Sequence, residues 1–127
     1  MKVVQKQFDM ALKLGLPVVV HAHRQNQLQL IIDLLQEHQS DYKALRLHIH
    51  GFSCEPKHMA ALLQTNDCVM GANLIILKQC GTFVKTVKKV GVEKLVLETD
   101  SPFVPIEGGA RKSSPADIEL VLQKLSE

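Results

Sequence analysis

The stretch Leu95-Val96-Leu97-Glu98-Thr99-Asp100-Ser101-Pro102 constrains this chain more than any other. It begins as a short apolar run, takes on two carboxylates and stops at a proline. A mostly apolar run of about four to eight residues closed by Ser-Pro reads as a buried strand. Side chains alternate across a strand, so Glu98 and Asp100 leave on the face of Val96, while Leu95, Leu97 and Thr99 take the other. Two acids at the end of a hydrophobic strand are costly to bury unpaired, and they call for a metal ion, another cation or hydrogen-bond donors. A strand simply running out into solvent would read the same way. The other strand ends decide between the two.

Val4, Phe8, Ala11 and Leu12 share one helical face, and Gly15 follows as a stop. Pro17-Val18-Val19-Val20-His21 is then a β-branched strand ending in histidine, its proline confined to the start. A second helix carries Leu28, Ile31, Ile32 and Leu35 and frays near His38-Gln39-Ser40. The strand over 44–50 alternates cleanly, with Leu45, Leu47 and Ile49 on one face and Arg46, His48 and His50 on the other. Gly51-Phe52-Ser53 turns the chain, and Pro56 suits the first turn of a helix bearing Met59, Ala60, Leu62 and Leu63. Asn66-Asp67 breaks that helix, a weaker strand covers 68–72, and residues 74–77 are apolar with no clear assignment. Phe83, Val84 and Val87 mark a helix ending at Gly91, before the Glu98/Asp100 strand over 95–100. A loop over 104–113 contains Gly108-Gly109, and the last helix has Ser114 as N-cap, Pro115 at its first position and Asp117 in place of the usual capping-box glutamate. Its buried stripe is Ile118, Val121, Leu122 and Leu125.

The order is therefore a helix followed by four βα units, each of about 25 residues, which implies right-handed crossovers and a parallel sheet. Reactive groups of such folds gather at the carboxyl ends of the strands. His21, His50 and Asp100 all fall there. A lone histidine at a strand end is more often structural, but three separate strands ending in ligand-type residues point to one divalent ion, such as zinc or manganese. His21-Ala22-His23 and His48-Ile49-His50 are also H-x-H pairs; His23 lies beyond its strand and His48 one layer deeper, so both are second choices. Cys54 and Cys80 lack any base in sequence that would activate a nucleophile.

Composition narrows the class. A chain of 127 residues, 46% apolar and 22% charged, is ordinary for one soluble globular core. A net charge of +2 is too small to mark a nucleic-acid footprint by itself. No apolar run approaches a membrane span and the start lacks a signal-peptide core, so no membrane partner is expected. Cys54, Cys68 and Cys80, odd in number and without C-x-x-C spacing, read as free thiols of a cytoplasmic protein.

In order and spacing, Pro17-Val18-Val19-Val20-His21, His50-Gly51-Phe52-Ser53 and Glu98-Thr99-Asp100-Ser101-Pro102 resemble the TatD family of metal-dependent deoxyribonucleases. Lys112-Ser113-Ser114-Pro115-Ala116 is similar to the family's R-N-x-P stretch, with Lys for Arg and Ser for Asn. The resemblance implies a (β/α)8 barrel that holds two divalent ions (Zn, Mg or Mn) and hydrolyses phosphodiester bonds of DNA. It implies metal ligands at His21 and His50, ending strands five and six, and at Asp100, ending strand eight. Asp100 would also be catalytic, with Glu98 supporting it. The family's usual arginine two residues after the strand-five histidine is His23 here, with Arg24 beside it, so these two would contact substrate.

The family's opening H-x-H strand and its glutamate bridging both ions have no counterpart in these residues. A TIM barrel takes roughly 200 to 250 residues. Residues 1–127 are thus expected to form a single partial (β/α) barrel domain, the family's strands five to eight, with the N-terminal half absent. Its open edges would favour self-association. The expected function is metal-dependent hydrolysis of phosphodiesters in DNA, with an incomplete site in the isolated chain. Two other readings stay open: a non-catalytic half-barrel or pairing module, and an amidohydrolase-like amide or lactone hydrolase.

Overall fold

A computed structural model of the chain describes residues 2–78, 80–104 and 112–127. The side chain of Cys80 lies outside the described residues, as do residues 105–111, which hold most of the loop expected over 104–113 and its Gly108-Gly109. Helix α1 (Lys2–Leu14) ends because Gly15 takes φ +65°, a left-handed conformation that glycine adopts without a Cβ clash. The Gly15 and Leu16 N–H groups then reach back to the carbonyls of Leu12 and Ala11.

Four strands follow, β1 (Val18–His21), β2 (Arg46–His50), β3 (Asp67–Ala72) and β4 (Leu95–Leu97). They form one parallel sheet in the order β1-β2-β3-β4, as βα units predict. Between them run α2 (Gln25–Glu37), the short α3 (Gln39–Tyr42), α4 (Pro56–Thr65) and α5 (Cys80–Val90), and α6 (Ile118–Ser126) closes the chain. The register pairs Val19 with His48 and His48 with Val69, and likewise His21 with His50 and Gly71 with Val96. These residues therefore share one face of the sheet. The opposite face, with Val20, Leu47, Ile49, Cys68, Met70 and Ala72, is buried together with Leu28, Ile32 and Leu35 of α2 and Met59 and Leu62 of α4. Each fully buried aliphatic of that layer is worth roughly 1.5–3 kcal/mol relative to exposure.

β1 starts one residue later and β3 one residue earlier than the sequence suggests, and three larger differences have a local cause. β2 starts at Arg46 because the Leu45 N–H is still committed to the Tyr42 carbonyl in a turn. The fraying expected after His38 is instead one helical turn, α3, whose Tyr42 is buried edge-on against Phe8. β4 stops at Leu97: Glu98 makes one further bond to the Ala72 carbonyl, the last residue of β3, and the ladder then has no partner to continue on. The unassigned residues 74–77 form a 3₁₀ turn (Leu74–Leu77) in which the Asn73 side chain accepts the Ile75 N–H at 3.0 Å.

Met10, Leu14, Leu16 and Val19 are exposed along a groove of about 320 Å³ between α1 and β1, and Val3 of α1 is exposed as well. Near β4, Leu97, Phe103 and Leu122 are exposed; Leu122, expected in the buried stripe of the last helix, points to solvent, and Val121 is the buried residue of α6. No helix among the described residues is long and apolar enough to cross a membrane.

Candidate metal centre

His21 and His50 are the last residues of adjacent strands and sit directly opposite in the register. Their rings consequently stack, with centroids 4.2 Å apart and planes 17° from parallel. Asp100 lies beyond β4, where the chain turns through a bond from the Phe103 N–H to the Asp100 carbonyl, and its carboxylate comes back over the same rim. One ligand-type atom from each of His21, His50 and Asp100 falls within 4.8 Å of the others. The three residues named from strand ends thus meet at one place.

The contact between His50 and Asp100 is the most informative. His50 Nδ1 lies 2.9 Å from Glu98 Oε2 in hydrogen-bond geometry, so the ring proton belongs on Nδ1. His50 Nε2 is fully buried, has no hydrogen-bond partner among the described residues and stands 3.3 Å from Asp100 Oδ1. A ring lone pair and a carboxylate oxygen repel each other at that distance unless a cation or a second ring proton lies between them. Two imidazoles and a carboxylate are a donor set that suits zinc, manganese and similar divalent ions, and the residues fit one.

Glu98 is held from two sides. Its Oε1 accepts the Gly51 N–H at 2.5 Å and its Oε2 accepts from His50, while His48 Nε2 lies 2.9 Å from Oε2 without hydrogen-bond alignment. The room for this carboxylate comes from Gly71, where a Cβ would stand 2.0 Å from Glu98 Oε1. Gly51 is required twice over: its φ is +55°, and a Cβ there would meet Asn73 Nδ2 at 2.9 Å. Sequence reasoning passed over Gly71 and Asn73, because neither carries a ligand-type side chain. The period-2 pairing of Gly71 with Val96, two residues before Glu98, was the signal that could have found the first.

His23 sits beside the trio, its Nε2 3.2 Å from His21 Nδ1. Burial, then the neighbouring His21 and His50, hold its pKa below the ordinary histidine value, against the weaker pull of Asp100 and Glu98. Arg24 is exposed at the N-cap of α2, where its backbone N–H donates to Gln27 Oε1 at 3.2 Å. Cys54 and Cys68 are poor nucleophiles. Burial, aided by Glu55, pushes the Cys54 thiol up, and burial pushes Cys68 up to about 12.

The family model of TatD related DNases matches residues 1–127. An uncharacterized metal-dependent hydrolase of Buchnera aphidicola subsp. Acyrthosiphon pisum is 26% identical over 117 residues, which are 91% of this chain and 43% of that protein. The crystal structure of YjjV, a TatD homologue from Escherichia coli K12, superposes with a TM-score of 0.78 at 22% identity, covering 95% of this chain and 45% of that one. The chain spans less than half the length of these relatives, and its four-stranded parallel sheet is a partial barrel of their fold. It belongs to the TatD related DNase family.

Proposed function

We propose that this TatD-family chain carries part of a divalent-metal site for hydrolysing phosphodiester bonds of DNA, with His21, His50 and Asp100 as its ligands. The observation that carries the reading is the buried, unpartnered His50 Nε2 facing Asp100 Oδ1 at 3.3 Å. A bound zinc, magnesium or manganese ion would activate a water and neutralise charge on the phosphate. Glu98 supports the chemistry by keeping His50 in one tautomer and one ring orientation. Asp100, more exposed than Glu98 or His50, has a second carboxylate oxygen that can accept a proton from the attacking water. Arg24, exposed and next to His23 in sequence, offers a guanidinium whose paired N–H groups match phosphate oxygens, and the exposed His23 would contact the same substrate. DNA is the partner on this reading, and the cytoplasm its location.

Two-ion hydrolysis uses metals about 3.5–4 Å apart, clamping the attacking and leaving oxygens together. Among the described residues His21, His50 and Asp100 are the one three-ligand group, and Glu98 is already committed to His50 and Gly51. The 127-residue chain alone should therefore release little nucleotide from single-stranded DNA. An N-terminal family half bearing the H-x-H strand and the glutamate, added in trans or by fusion, should raise the rate, and EDTA should abolish it. Strong chelator-sensitive cleavage by the isolated chain, lost in Asp100→Asn, would show the site to be complete without that half. No cleavage in any combination would reject the nuclease reading.

A further inference from the structure

A histidine that ligates a metal presents one ring lone pair, and its other nitrogen is commonly held by a neighbour that fixes tautomer and orientation. The two histidines of the trio have different neighbours. His50 Nδ1 is held by the Glu98 carboxylate at 2.9 Å. His21 Nδ1 meets a second imidazole instead, His23 Nε2 at 3.2 Å, with the rings 88° apart and their centroids separated by 4.8 Å.

Two neutral imidazoles share a hydrogen bond in only one of two ways. If His23 donates, His21 Nδ1 is the acceptor and the His21 proton sits on Nε2, which then has no lone pair to give. If His21 donates from Nδ1, its Nε2 carries the lone pair. The second arrangement alone leaves His21 able to act with His50 and Asp100. We propose that His23 is a positioning residue of this centre: its Nε2 accepts the Nδ1–H of His21 and holds that ring in the tautomer a divalent ion requires. The inference rests on His21 being a ligand.

Local structure supports the assignment. His21 and His23 are two residues apart, yet His23 lies past the end of β1, so its ring is free of the strand and turns edge-on to its neighbour. Gly51 gives that ring its space, since a Cβ there would stand 3.3 Å from His23 Cε1. With Nε2 as acceptor, the His23 proton lies on Nδ1, which remains a donor for a substrate oxygen. The residue type is decisive. An arginine has five donors and no acceptor, so it could bind phosphate at this position but could not take the His21 proton. Arg24, next in sequence, keeps a cation at the rim. A neutral imidazole is also a weaker acceptor than a carboxylate, so the His21 ring is held less firmly than the His50 ring.

The test uses the whole 127-residue chain and needs no turnover. Long-range proton–nitrogen NMR of the metal-free protein at neutral pH should show His21 protonated on Nδ1, and His23→Ala should shift it towards Nε2–H. Calorimetric titration with zinc should show at least about tenfold weaker binding in His23→Ala and His23→Arg, and a loss of no more than about threefold in His23→Gln, whose carbonyl can accept the same proton. Circular dichroism checks that each variant is folded. His21 protonated on Nε2 in the unmutated chain, or equal zinc affinity in all three variants, would overturn the proposal. Absence of zinc binding by the unmutated chain would instead refute the ligand reading of the trio, and the His21 tautomer would then decide the role of His23 by itself.

Discussion

Glu98 is the residue on which the local geometry turns, because it ties the end of β2 to the segment that follows β4. Its carboxylate lies where the side chain of residue 71 would be, held by His50 and the Gly51 N–H. Gly71→Ala therefore sets a methyl group 2.0 Å from Oε1. The least costly response is for the flexible Glu98 side chain to swing away, which releases His50 and leaves the β3 backbone in place. We expect Gly71→Ala to remain folded, with a modest fall in Tm, and to bind zinc at least about tenfold more weakly by calorimetry. Unchanged affinity would mean that Glu98 does not orient His50. His21, His50 and Asp100 were legible in the sequence because each ends an apolar run with a side chain able to bind metal. Gly71 and Asn73 were not, because what a glycine makes room for is set by a residue 27 positions away (Glu98), and the Asn73 amide acts on backbone.

At the scale of elements, helices and strands followed hydrophobic period and stop signals closely, and the misreadings fall where tertiary contacts set a boundary. Alternation continues through Asp100, so sequence extends the last strand to residue 100; the partner strand ends at Ala72, and β4 ends with it. Residues 74–77 carry no period because four apolar residues fit one 3₁₀ turn, with Leu74 and Ile76 buried. The capping box of Ser114 and Asp117 was readable, and the Ser114 N–H donates to Asp117 Oδ2 at 2.6 Å, but it caps a 3₁₀ turn (Pro115–Asp117) that leads into α6 and not the α-helix itself. The turn after β3 depends on Asn73, whose Oδ1 holds the Ile75 N–H. Asn73→Ala should cost about 1 kcal/mol in urea denaturation, as for loss of a helix cap. A loss below about 0.3 kcal/mol would show that the turn is held by the burial of Leu74 and Ile76 alone.

At the scale of the whole molecule, β1 and β4 are the edge strands of the parallel sheet among the described residues, and β1 lies beside an apolar groove. Met10, Leu14, Leu16 and Val19 together form an exposed strip of the kind that marks an interface or an association liability. Sedimentation velocity should show concentration-dependent association of the 127-residue chain, reduced by Leu16→Lys and Val19→Lys. A single monomeric species at every concentration would show that the strip is tolerated in water. On the proposed reading, three rim residues from separate βα units hold one divalent ion. Calorimetric titration of manganese and zinc into the unmutated chain and into its His21→Ala, His50→Ala double variant tests it most directly. The geometry predicts binding by the unmutated chain, weakened more than about a hundredfold in the double variant, beyond what loss of a supporting contact costs. Equal affinity in the two proteins would contradict it.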